Sequence, residues 1–160
     1  MKFKPLEEAD WRGLAQAATN TPTIKQKAVN LIDLLKTTFE SPNILGEGNF
    51  RVLAPDDNNS IAKIETFLGH ARARLTWKSD REDISGVLVF ERKLFDSQDQ
   101  VFWEPIWALT ISAYENPHIT NGDEAFVVEM NSPMGSRRQN STFVAGMTVL
   151  YGIVNGPIHA

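Results

Sequence analysis

Residues 86–114 read Gly86-Val-Leu-Val-Phe-Glu-Arg-Lys-Leu-Phe95, then Asp96-Ser-Gln-Asp-Gln100, then Val101-Phe-Trp-Glu-Pro-Ile-Trp-Ala-Leu-Thr-Ile-Ser-Ala-Tyr114. The first and third runs are rich in β-branched and aromatic residues, which are typical of strands. The run between them is short and polar, and runs of this kind connect antiparallel strands. This stretch therefore predicts a β-hairpin, and the rest of the chain is interpreted around it.

One register suits the two strands of this hairpin, because it pairs apolar with apolar residues and acid with base. It joins Phe95 with Val101, Arg92 with Glu104, Phe90 with Ile106 and Val89 with Trp107. A shift of one residue would turn every side chain to the other face of the sheet. The register is therefore the assumption on which every prediction about faces depends.

The segment on the N-terminal side of the hairpin, His70–Trp77, alternates between small or apolar and basic residues. A period of two is that of a strand. If Trp77 faces Gly86, Arg72 faces Glu91 on the hairpin. Phe50–Leu53 is either a short strand or extended chain that leads into Pro55. A short strand is predicted at Glu124–Met130, and turns are predicted at 78–85 and 116–123.

Helices are predicted at both ends of the chain. A first helix covers Pro5–Ala18, and a second begins at Pro22, is capped by Thr21 and is stopped by Ser41-Pro42. A third follows the loop 131–139, is capped by Asn140 or Ser141 and ends before Asn155-Gly-Pro157. This last helix is apolar nearly all round, which predicts burial on more than one side. Residues 61–68 have helical spacing and are predicted as a short helix, although the same residues also alternate.

These elements predict an α+β fold in one domain of residues 1–160. The sheet is an antiparallel β-meander of about four to five strands, with N-terminal helices and a buried C-terminal helix. In the register above, apolar side chains occupy both faces of the sheet, since Trp107, Leu109 and Ile111 fall on the face opposite Leu88 and Phe90. The second face must then be covered by helices, a partner, a second copy of the chain or a ligand.

Composition limits the classes of function. The 160 residues have 42% hydrophobic and 22% charged residues and a net charge of −4, which is typical of a soluble globular protein. The acidic balance argues against nucleic acid or an anionic membrane as partner. The chain has no cysteine, so disulfides and thiolate sites are excluded. No apolar run is long enough to cross a bilayer, and we expect a cytoplasmic protein.

Two basic segments are the candidate ligand sites. His70, Arg72 and Arg74 share one side of a strand, roughly 7 Å apart, and could bind a phosphate or carboxylate; the alternative is a solvated row in which Arg72 pairs with Glu91. Arg137 and Arg138 precede a helix N-terminus, which favours anions; the alternative is an ordinary capped loop. Trp103 could stack on an arginine or simply pack in the core.

Catalytic and metal-binding motifs are not found in the sequence. It has no His-Glu-x-x-His, Gly-x-Ser-x-Gly, Walker or dinucleotide-binding pattern. The three carboxylates Glu91, Glu104 and Glu129 lie on neighbouring strands and could form an acid–base pair. Glu91 and Glu104 fall on opposite faces and each has an arginine nearby, so salt bridges explain these two better. No cofactor, metal or catalytic residue is therefore predicted.

Two functional hypotheses follow. The first is a non-catalytic binding or interaction protein that acts through the partly polar sheet face, on a protein partner or on a second copy of itself. The second is a small-molecule enzyme or anionic-ligand binder. Its site would lie between the 70–77 strand and the 132–141 loop and would use Arg72, Arg74, Glu91, Trp103, Arg137 and Arg138.

Overall fold

The computed structural model describes residues 4–5, 7–80, 83–121, 124–130 and 135–158. Its helices are α1 (Glu8–Phe39), α2 (Pro42–Leu45) and α3 (Gly135–Asn155). Its strands are β1 (Phe50–Leu53), β2 (Ala62–Thr66), β3 (Gly69–Asp80), β4 (Asp83–Phe95), β5 (Val101–Ile111), β6 (His118–Asn121) and β7 (Glu124–Val127). They confirm the predicted α+β class.

The strands form one antiparallel sheet in the order β1 to β7, so each strand pairs with its neighbours in sequence. This is the predicted meander, with seven strands instead of four to five. One additional strand is β2, where a helix over 61–68 was predicted; that prediction is wrong, because Ala62 and Ile64 alternate into the core. The other is β6, which lies inside the predicted turn 116–123. The predicted turn 78–85 is shorter, since Asp80 pairs with Asp83.

The first 39 residues hold one helix where two were predicted. Pro22 lies inside α1 and cannot donate to the carbonyl of Ala18, so one helical hydrogen bond is lost without ending the helix. Thr21 does not cap a new helix, because its hydroxyl donates to the Ala17 carbonyl (2.8 Å). Burial begins at Asn20. The half of α1 before that residue is mostly exposed, including Trp11 and Leu14.

Both long helices pack on the same face of the sheet. A Cβ added at Gly86 of β4 would meet Ile24 of α1, and one added at Gly152 of α3 would meet Ile106 of β5. The helices also contact each other closely, since a Cβ at Gly146 would fall within 1.9 Å of the Phe39 ring. The core lies between this face and the two helices, with Leu31, Leu35, Phe39, Ile64, Leu88, Phe90, Leu109 and Val149 fully buried.

The register of β4 and β5 changes at a β-bulge. Arg92 pairs with Glu104 and Phe95 with Val101, as predicted, but Phe90 pairs with Trp107 and Val89 with Ala108. The predicted pairs of Phe90 with Ile106 and Val89 with Trp107 are therefore wrong by one residue. Pro105 sits at the shift, and proline is found at bulges because it has no N–H to give to the ladder.

The bulge moves the large side chains of β5 to the core face. Trp107, Leu109 and Ile111 pair with Phe90, Leu88 and Gly86, and the rings of Phe90 and Trp107 lie 5.8 Å apart. Ile106 is also buried, and its carbonyl accepts a hydrogen bond from the Ile158 amide (2.9 Å). The prediction of two strongly apolar sheet faces is therefore only partly right: the second face loses three of its largest apolar residues.

Helix α3 begins earlier than predicted, at Gly135 instead of after Asn140. Ser141 is not a cap, because it is buried and its hydroxyl accepts a hydrogen bond from the Glu129 amide (3.0 Å). At the other end Arg92 donates to the carbonyls of Ile153 (3.2 Å) and Val154 (3.4 Å). A cation there complements the helix dipole and binds the last turn to the sheet.

Candidate functional site

The face of the sheet opposite α1 and α3 is the candidate site. We call it the open face; its side chains include Arg72, Arg74, Val87, Val89, Glu91 and Trp103. Among the described residues, no helix packs over it. Val87, Val89 and Trp103 are nonetheless half-buried.

Glu91 is the centre of the open face. Its side chain is only 5% exposed, although it projects from a face without a helix. Its Oε1 accepts hydrogen bonds from Arg72 Nε (3.0 Å) and Arg74 Nε (3.0 Å), and its Oε2 accepts one from Arg74 Nη2 (3.3 Å). A buried carboxylate is costly unless its lone pairs are satisfied, and here the two arginines satisfy them.

Arg72 is held by two further contacts. Its Nη1 donates to Asp57 Oδ2 (3.2 Å), and its guanidinium carbon lies 4.4 Å from the centre of the Trp103 ring. This is a cation–π arrangement. The Arg72 side chain is 17% exposed and that of Arg74 is 35% exposed, so Arg74 is the more accessible of the pair.

Asp57 comes from the β1–β2 connection and was not predicted as a site residue. Its Oδ1 accepts hydrogen bonds from the Ser60 hydroxyl (2.6 Å) and the Asn59 amide (2.8 Å). The hydrogen bond from the Ser60 hydroxyl is the main cause that lowers the pKa of Asp57. Backbone hydrogen bonds from Asn59 and Ser60 and the charge of Arg72 also lower it, whereas partial desolvation acts in the opposite direction. The charged form of Asp57 is therefore favoured, and its carboxylate forms an ion pair with the guanidinium of Arg72.

The four charged groups of this cluster balance one another. Two guanidinium groups, of Arg72 and Arg74, face two carboxylates, of Glu91 and Asp57. An added phosphate would meet both carboxylates as well as the arginines, and it would compete with Glu91 for the same donors. The arrangement thus stiffens a patch of surface more than it attracts a free anion.

A second set of ion pairs continues toward β1. Lys63 Nζ lies 3.0 Å from Asp56 Oδ2 and 3.3 Å from Glu65 Oε1, and Arg51 lies 4.0 Å from Glu65. Hydrogen bonds with Asp56 and Glu65 raise the pKa of Lys63. The polar half of the open face is therefore a row of ion pairs that ends at Trp103.

Four of the six predicted ligand residues lie together on the open face: Arg72, Arg74, Glu91 and Trp103. The predicted pair of Arg72 with Glu91 is confirmed. Arg137 and Arg138 belong to the first turns of α3, a helix whose later turns pack on the opposite face, and their side chains lie outside the described residues. Their part in a ligand site stays a prediction.

Glu91 and Glu104 form the predicted salt bridges. Glu104 accepts a hydrogen bond from Arg92 Nε (2.7 Å) on the core side, whereas Glu91 lies on the open face with Arg72 and Arg74. The two are thus on opposite faces and cannot act on one substrate as an acid–base pair. Within the described ranges, no group of three or more His, Asp or Glu side chains is placed to hold a metal ion.

A separate cleft of about 740 Å³ runs beside α1, lined by residues that include Lys27, Asn30, Asp33, Asn116 and Met130. Lys27 Nζ donates to the carbonyls of Ser112 (3.0 Å) and Glu115 (2.9 Å). Burial lowers the pKa of Lys27, against the opposing charge of Glu115. The role of Lys27 is therefore structural, because its two hydrogen bonds connect α1 to the segment between β5 and β6.

Comparisons of the chain with protein-family models, with curated proteins and with solved structures found no match. No helix among the described residues combines the length and the hydropathy needed to cross a membrane. The open face, over which no helix of the described residues packs, therefore supports the proposed function by its own chemistry.

Proposed function

We propose that this chain is a non-catalytic binding protein that receives a protein partner on the open face of its sheet. The observation that supports the proposal is the cluster of Arg72, Arg74 and Trp103, fixed in place by Glu91 on a surface over which no described helix packs. Arginine and tryptophan are enriched among residues that dominate binding energy. Because Glu91 already orders the two arginines, binding would cost little side-chain entropy.

The chemistry of the open face indicates the kind of partner. Its charges are balanced, and Val87 and Val89 supply an apolar strip beside them. A partner that presents an apolar side chain flanked by neutral hydrogen-bonding groups would fit both parts, and Arg74 would be its main polar contact. A nucleic acid is not the proposed partner, since the net charge of −4 repels phosphates. The proposed location is the cytoplasm, which suits a chain without cysteine.

The test uses matched valine substitutions. A partner is first captured from the source cells and purified, and its affinity is then measured by calorimetry with the wild type, Val89→Lys, Arg74→Ala and the control Val29→Lys. Val29 lies on α1, on the other side of the sheet, and is 43% exposed. We expect Val89→Lys and Arg74→Ala to weaken binding at least tenfold and the control to leave it unchanged. A purified partner that binds all four proteins equally would overturn the proposal.

A second candidate, an anionic-ligand binder or small-molecule enzyme, is supported by the two guanidinium groups that converge on one carboxylate. Its test is a thermal-shift panel of phosphate and small carboxylates at millimolar concentration, because binding to the native state raises the melting temperature. A shift that disappears in Arg72→Ala or Arg137→Ala would support this function. Binding by Glu91→Gln but not by the wild type would show that Glu91 occupies the anion position, which contradicts it.

A further inference from the structure

The side of α3 that faces away from the sheet is a second surface that the described part of the chain leaves uncovered. Its side chains are Phe143, Val144, Met147, Tyr151 and Val154, and with Leu68 from the β2–β3 turn they form what we call the outer face of α3. Phe143 is 39% exposed, Val144 46%, Tyr151 61%, Val154 49% and Leu68 49%. Together they line a shallow groove of about 590 Å³. The opposite side of the helix, with Ala145, Val149 and Ile153, is buried.

The outer face of α3 has no charge. Residues 139–158 contain no Asp, Glu, Lys or Arg, in a chain with 22% charged residues. A helix at the surface of a globular protein ordinarily carries charged residues on its solvent side. The apolar character all round α3 predicts burial on two sides, and one copy of the chain buries only one of them.

We propose that the outer face of α3 pairs with the same face of a second copy of this chain, in a two-fold symmetric dimer. A symmetric interface places one patch against itself, so it must be self-complementary. An uncharged patch meets this condition without like-charge repulsion, whereas charged surfaces of a protein with net charge −4 oppose self-association. Recognition of a different protein commonly uses opposite charges, and this patch has none to offer.

The size of the patch suits a dimer. With roughly 200 Å² for a large side chain, the five exposed fractions above correspond to on the order of 400 Å² per copy. Standard interfaces bury about 800 Å² per partner, and apolar atoms supply somewhat more than half of that area. The apolar centre of a standard interface is thus present on α3, with Thr148 and Asn155 as part of its polar surround. This inference is independent of the proposed function, which uses the other side of the sheet.

The main test is the molar mass in solution, measured by light scattering from micromolar to millimolar protein. The variants are Val144→Lys and Tyr151→Lys, and the control is Phe95→Lys, because Phe95 and Tyr151 are both 61% exposed. We expect a dimer for the wild type and the control. Each α3 variant should raise the dissociation constant at least about 100-fold, since two ammonium groups would be desolvated in one symmetric interface. Circular dichroism checks that every variant is folded.

Three results would overturn the proposal. The wild type could stay monomeric over the whole concentration range, or the dimer could persist in both α3 variants. A monomer that binds phosphatidylcholine vesicles, and loses that binding in Tyr151→Lys, would instead show that lipid covers the outer face of α3.

A cross-linking experiment locates the interface directly. Because the chain has no cysteine, Val144→Cys, Thr148→Cys and Tyr151→Cys each introduce a unique thiol along α3. Residues beside the two-fold axis meet their own copies, and a disulfide forms when the Cα atoms approach within about 7 Å. We expect oxidation to cross-link at least one of the three, under conditions in which Ser97→Cys in the hairpin turn forms no disulfide. If none of the three cross-links, the proposed pairing of helices is wrong.

Discussion

The open face of the sheet and the outer face of α3 are both left uncovered by the described residues, but they differ in chemistry. The open face holds a dense set of charges whose partners are already present, with Glu91 buried between Arg72 and Arg74. The outer face of α3 holds no charge and leaves large apolar side chains half exposed. The charges of the open face are already paired, so this surface is stable when free and can still recognise a partner. The apolar side chains of α3 are stabilised only when another surface removes them from water.

The largest expected effect in this comparison comes from Glu91→Gln. The substitution leaves two guanidinium groups without their shared, mostly buried carboxylate, and removal of one partner from a buried ion pair costs about 3 to 5 kcal/mol. We expect a loss of that size in the free energy of unfolding in urea. Glu65→Gln is the control, since its ion pairs are more exposed and should contribute less than about 1 kcal/mol. Equal losses in the two variants would mean that the cluster is not specially buried.

The next prediction contrasts the two sides of α3. In Gly146→Ala the new methyl group meets the Phe39 ring, whose nearest atoms lie 1.9 and 2.3 Å from the added Cβ, and such overpacking costs about 1 to 3 kcal/mol. Thr148→Ala on the solvent side should change the unfolding free energy by less than about 0.5 kcal/mol. Thermal or urea unfolding of both variants checks the order. A stable Gly146→Ala would show that α1 and α3 can separate at little cost.

A smaller effect is expected from Trp103→Leu. This variant keeps an apolar side chain on the open face but removes the ring beneath Arg72, and a cation–π contact contributes about 0.5 to 2 kcal/mol. Phe102→Leu, the neighbouring and more exposed residue on β5, serves as the control. The measurement is again urea unfolding. If both variants lose the same stability, the ring contributes only by its size.

The smallest effect is one of pH. The fold lowers the pKa of Asp57, so this carboxylate stabilises the native state fully above its unfolded value of 3.8. That contribution is lost as the pH falls through the lower, folded pKa. We expect Asp57→Asn to show a smaller decrease in stability between neutral and strongly acidic pH than the wild type. An identical acid dependence in the two proteins would indicate that the Ser60 and Arg72 contacts do not hold in solution.

The strands near the middle of the chain could be predicted from sequence because their side chains alternate over many residues. His70–Trp77 and the hairpin were placed correctly, and the pairs of Arg72 with Glu91 and Arg92 with Glu104 followed from charge. The bulge was missed because the residues on each side of Pro105 alternate regularly. A shift of register between two regular patterns cannot be detected from either pattern alone. Proline within a strand was the available signal.

The helical errors have other physical causes. Pro22 is a good first residue of a helix, yet α1 continues through it because packing beyond Asn20 outweighs one missing hydrogen bond. Residues 61–68 fit a helix and a strand equally well, and only the pairing with β1 and β3 decides between them. Of the open face, the sequence predicted Arg72, Arg74, Glu91 and Trp103, but not Asp57. Its contact with Arg72 depends on how the β1–β2 connection folds back, which no local pattern records.

The uneven burial of α1 has a consequence for backbone dynamics. Residues 8–19 share one helix with residues 20–39, but only the second part is covered by the core. Unwinding of the first three turns would break few tertiary contacts, and Pro22 already lacks the amide that would bond to Ala18. Deuterium should therefore enter the amides before Asn20 through local opening, long before it enters those around Leu31, which exchange only when the whole protein unfolds. A single continuous helix thus contains two regions of very different stability.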